Sequence, residues 1–224
     1  MTGAIIATLY SVVLVVGIFY YLSDRYKKDT ASGVKEYISD NRRFLALTLG
    51  IFAVISMAQI RYLSASSIYS LAIVLKWSTL IWGLYLLAKI DFHEKKIPNR
   101  IVRAMLGILG VFCVYNLIIG EGFRTEVLLS PLIGALIGGG IMLLSFFISR
   151  KSVGMGDVKM FIVIGAYVGN ISILTSMFYS FMAAAIGGII LLLFKKAGLK
   201  DFVPMAPFAF IGVALQYLLL MNGG

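Results

Sequence analysis

Residues 69–90, YSLAIVLKWSTLIWGLYLLAKI, contain no acid and only two lysines, Lys76 and Lys89, and the residue that follows them is Asp91. A hydrocarbon core about 30 Å thick is crossed by about 20 apolar residues in a helix, so this stretch reads as one membrane span ending at a carboxylate. The same reading carried outward places further spans near residues 4–22, 44–60, 101–119, 127–149, 158–168, 171–194 and 205–221. The span at 158–168 is short, so its helix must begin inside the preceding loop or start half-buried. Residues 1–22 lack a basic amino-terminal region and a small-residue cleavage site, which predicts a retained helix and not a secretion signal.

Composition agrees with this pattern. Of 224 residues 60% are hydrophobic and 13% charged, and the mean hydropathy is +0.96, against about 45–50% apolar and about 25% charged in soluble domains. An ordinary soluble fold and a disordered chain are excluded. The expected fold is all-α: a polytopic membrane helix bundle of about eight transmembrane helices in a single integral-membrane domain, residues 1–224. The net charge of +10 fits basic loops against anionic lipid and does not imply a nucleic-acid partner. Seventeen of the twenty Lys and Arg residues fall in one set of alternate loops, and Arg61 and Arg124 in the other. By the positive-inside rule the first set is cytoplasmic and both termini are external.

Two of the ten acids stand directly at span boundaries. Asp91 closes the third span, and Asp157 precedes Val158-Lys159-Met160-Phe161. Carboxylates at one depth on different helices can meet and share a proton, which is what activating a water molecule requires. Either could also be ordinary, Asp157 as a helix cap and Asp91 as a solvated loop residue. Asp157 closes Gly154-Met155-Gly156-Asp157, whose glycines permit positive φ and close approach of another backbone. Asp91 opens a segment that runs to Ile97-Pro98-Asn99, where Pro98 and Asn99 can end one helix and start the next. By position, Asp157 at a helix amino end should ionise before Asp91 at a carboxyl end. Lys159 could tune Asp157 or bind lipid phosphate. Gly134/Gly138 and Gly165/Gly169 have the four-residue spacing of close helix packing.

One His and one Cys, His93 and Cys113, cannot complete the common zinc sites, so neither metal nor cofactor is expected.

Asp91 with Ile97-Pro98-Asn99, Gly154-Met155-Gly156-Asp157-Val158-Lys159, and Pro204-Met205-Ala206-Pro207-Phe208 together resemble the type IV prepilin peptidases, membrane aspartic proteases of the GxGD class. The resemblance runs over residues 89–212, with residues 1–88 as additional amino-terminal helices. It implies that Asp91 and Asp157 are the catalytic pair, and that Gly154, Gly156, Lys159, Pro98, Asn99, Pro204 and Pro207 belong to the motifs that position them or the substrate. It also implies a pilin-like precursor as the partner, cut at the cytoplasmic face of a prokaryotic plasma membrane. Many members carry a cysteine-rich cytoplasmic insertion associated with N-methylation; residues 23–43 here hold no cysteine, so methyl transfer is not expected. The competing reading is a proton- or cation-coupled transporter subunit using Asp91 and Asp157, although transporters place such acids nearer mid-membrane. A third is a structural subunit in which both aspartates only cap helices.

Overall fold

The computed structural model describes residues 2–26, 42–65, 69–119, 125–149, 153–193 and 204–222. The basic segments around Lys27, Lys28, Lys35, Arg124, Arg150, Lys151, Lys195, Lys196 and Lys200 lie outside them. Among the described residues there are eight α-helices and no strand: α1 (Thr2–Arg25), α2 (Arg42–Ala65), α3 (Tyr69–Glu94), α4 (Asn99–Ile119), α5 (Glu126–Ile148), α6 (Met155–Val168), α7 (Ser172–Leu193) and α8 (Ala206–Asn222). Six of them, α1 to α5 and α7, are long and apolar enough to cross a membrane. The chain is a polytopic membrane helix bundle. Helix α6, at 14 residues, begins at Met155, inside what the hydropathy pattern reads as loop, and α8 is an apolar helix of 17 residues.

The helices form two compact units, one of residues 1–82 with 218–224 and one of residues 83–217. In the first, a polar cluster ties apolar helices together. The buried Gln59 amide donates to Ser78 Oγ at 2.7 Å, Ser11 lies 3.4 Å from the same side chain, and Tyr10 and Thr79 hydroxyls meet at 2.8 Å. In an apolar surrounding such bonds associate helices that have no hydrophobic reason to prefer each other over lipid.

The second unit is built around α6. Nine of its 14 residues are buried, Phe161, Val163 and Ile164 completely. It packs on α5 backbone to backbone: a Cβ built on Gly165 would lie 2.1 Å from the carbonyl oxygen of Gly134, and one on Gly134 would lie 2.2 Å from that of Gly165. These are two of the glycines whose spacing suggested close packing. Gly169, at φ +79°, ends α6 in the left-handed region that glycine adopts without steric cost. On another side the Tyr167 hydroxyl donates to the Met105 carbonyl of α4 at 2.7 Å. A helix held this way is a rigid mount for whatever stands in its first turn.

Candidate active site

Helix α3 ends because Lys95 takes a left-handed conformation, φ 52°, with its N–H on the Asp91 carbonyl at 2.8 Å. The chain then runs through Ile97 and Pro98 into α4. Proline cannot continue a helix from its own N–H, but its carbonyl starts one, accepting from Ile101 and Val102 at 3.2 and 3.4 Å. This turn leaves Asp91 in the last turn of α3, 3% exposed. Its Oδ2 accepts the Ala206 N–H at 3.1 Å, from a residue 115 positions away at the start of α8.

Asp157 is the third residue of α6 and 7% exposed. Its Oδ2 accepts the Gly154 N–H at 3.2 Å while its own N–H donates to the Gly154 carbonyl at 3.0 Å, a reciprocal cap of the helix start. Gly154 sits at φ −72°, and Gly169 is the positive-φ glycine among the described residues. The expectation that Gly154 and Gly156 supply positive φ is therefore corrected: they supply space. A Cβ on Gly154 would stand 3.1 Å from Asp157 Oδ2, and one on Gly156 would stand 3.2 Å from Ile97 Cβ. The approaching partner is the Ile97 side chain, not a backbone.

Both aspartates line one open cleft of about 370 Å³. Gly154 and Gly156 line it from α6, Asn99 from the start of α4, and Lys95, Lys96 and Lys159 bring three ammonium groups. Lys159 Nζ donates to Asn99 Oδ1 at 3.0 Å, joining the start of α4 to α6. The other motif residues, Pro98, Pro204 and Pro207, stand at helix starts. Among the described residues no three His, Cys, Asp or Glu side chains gather as metal ligands. Sequence reasoning missed the donor at Ala206 and the packing of Ile97. The signal for the first was present in the proline-flanked segment 204–207, which marks a helix start without saying what lies opposite it.

The Asp157 carboxyl is pushed up from its ordinary 3.8 to about 6, by burial first and then by the negative charge of Asp91 beside it, against the Gly154 N–H, which lowers it. Burial and the Asp91 charge thus work against the helix-end field from which early ionisation of Asp157 is expected. The dipole difference between the two sites also disappears in three dimensions, because Asp91 leaves its own helix at the carboxyl end yet faces the amino end of α8. Two carboxyls close enough to share one proton can both take and give it.

Residues 78–193, which include both aspartates, match the type IV leader peptidase family. The prepilin leader peptidase/N-methyltransferase of Bacillus subtilis (strain 168) is 28% identical over 135 residues, which are 60% of this chain and 52% of that protein. The chain thus spans about half the length of this curated relative. No solved structure matches. With more than half of its residues matched, including the two cleft aspartates, the chain belongs to the type IV leader peptidase family.

Proposed function

We propose that this chain is an aspartic endopeptidase that removes the leader from type IV pilin-like precursors, with Asp91 and Asp157 as the catalytic pair. The observation that carries the reading is that two buried carboxylates from different helices line one open cleft. In such a site the ionised carboxylate takes a proton from water, and the protonated one polarises the scissile carbonyl; the proton then passes to the leaving amine. A cleft open at helix ends admits an extended peptide, which a site sealed among helices does not. The weight of Lys and Arg on one set of loops supports a cytoplasmic position for the cleft, since Lys95, Lys96 and Lys159 belong to that set. Methyl transfer stands in the name of the Bacillus relative; here the segment 23–43 without cysteine supports peptidase action alone.

The structural-subunit reading has an observation of its own: each aspartate accepts an N–H at a helix start. Capping needs only an acceptor, which asparagine also provides, whereas proton transfer needs the carboxyl. Purified full-length Asp91→Asn and Asp157→Asn should therefore fold with near wild-type Tm and leave a pilin-like precursor uncleaved. Normal processing by either one removes the pair from the chemistry.

A further inference from the structure

We propose that the backbone N–H of Ala206 is a positioning group for Asp91. The inference rests on Asp91 being catalytic and adds what holds it.

A helix start exposes N–H groups that have no acceptor within the helix, and these are usually met by a side-chain cap or by water. In the first turn of α8 they are distributed as follows. Pro207 has no N–H. The N–H groups of Phe208 and Ala209 return to the Met205 carbonyl at 3.1 and 3.0 Å. The Ala206 N–H goes to Asp91 Oδ2 at 3.1 Å. The Met205 N–H, one residue earlier, also bonds this carboxylate, so the start of α8 offers Asp91 two adjacent backbone donors, of which Ala206 makes the bond at 3.1 Å. Ala206 and Asp91 are both buried, 0% and 3% exposed, so water does not compete for the bond, and a bond to a charged acceptor in such a place is among the stronger ones. It ties up Oδ2 and restrains rotation of the carboxyl group. Just past the end of α3, Lys95 and Lys96 also line the cleft, with exposed side chains. The orientation of this carboxylate is therefore set by backbone 115 residues away, and a change at the start of α8 acts on catalysis without touching substrate.

The test replaces the Ala206 amide by an ester, with lactic acid incorporated at position 206 of the full-length protein, which deletes the N–H and keeps the shape while weakening the Met205 carbonyl that Phe208 and Ala209 bond. Precursor cleavage should show kcat lowered about 10- to 100-fold, the worth of one hydrogen bond to a charged group, with KM within about twofold. The same ester at position 209 deletes an N–H that serves α8 alone and should leave kcat within about twofold of wild type. Ala206→Pro, with proline at a first helical position where it is tolerated, deletes the same donor by other chemistry and should show the same loss of kcat. Wild-type kcat in the 206 ester, or equal losses from the 206 and 209 esters, overturns the proposal. Asp91→Asn measured in parallel separates the two claims. If Asp91→Asn cleaves normally, the catalytic pair itself is wrong; if it is inactive while the 206 ester is normal, only the positioning role fails.

Discussion

Gly165→Ala should uncouple Asp157 from the cleft although it lies eight residues away from it. A Cβ at Gly165 falls 2.1 Å from the Gly134 carbonyl oxygen, 2.5 Å from its carbon and 3.0 Å from the Ala135 nitrogen. All three are backbone atoms, so no rotamer change relieves the clash and the helices themselves must part. Restoring an ordinary contact of about 3.4 Å at the closest atom requires a separation of about 1.3 Å. Overpacking of this kind costs about 1–3 kcal/mol. A further effect falls on catalysis: the helix is rigid, its far end is held on α4 by Tyr167, and displacement is passed along to its first turn. A reacting group misplaced by about 1 Å costs on the order of 100-fold in rate. The assay is precursor cleavage by full-length protein in detergent or vesicles, with Tm measured on the same samples. Gly140→Ala is the control on α5, because its Cβ meets nothing within 4 Å. It should keep wild-type activity and lose no stability. Gly165→Ala that cleaves at the wild-type rate would show that the backbone contact between α5 and α6 does not hold the site, and the reasoning from packing to catalysis would fail.

Three further outcomes are expected. Because Asp157 holds its proton up to about pH 6 in the folded chain against 3.8 ordinarily, the folded state binds more protons than the unfolded between these values. The stability it contributes is full below 3.8 and is lost as pH rises through about 6, so Tm should decline over that window and the decline should flatten in Asp157→Asn. Lys159→Ala and Asn99→Ala should each lower kcat/KM about 2- to 10-fold, and the double variant should do little more than either, since both remove the one bond between them; fully multiplicative losses would dissolve the link. A cysteine introduced at Lys95 should react with an impermeant thiol reagent in inverted vesicles and not in intact cells; labelling from outside would reverse the assigned orientation.

The membrane bundle, the positions of the spans and the two boundary aspartates are all legible in the amino-acid sequence, because each is a property of local composition. A run of 22 residues without an acid must find lipid or a core, and a carboxylate at its end must stay near water or find a partner. The short sixth span was also legible as an anomaly, and its helix does begin inside the loop, at Met155. The glycine spacing at 134 and 165 stated that some backbone could come close. It could not state that these two glycines face each other, since the spacing carries no partner.

What the tertiary structure alone decided is the surroundings of the two carboxyls. The chain places Asp91 at a helix carboxyl end, and from that position a negative partial charge follows. Folding sets the amino end of α8 against it and offsets that charge. Asp157 at a helix amino end suggested easy ionisation, yet burial and the neighbouring Asp91 raise its carboxyl to about 6. The glycines of Gly154-Met155-Gly156-Asp157 promised unusual backbone angles and instead make room for Ile97 and for the Asp157 carboxylate itself. In each case a residue's own helix is written in its neighbours along the chain. The groups that set its charge and contacts, Ala206 for Asp91, Asp91 for Asp157 and Ile97 for Gly156, come from elements distant along the chain, and short-range pattern holds no information about those.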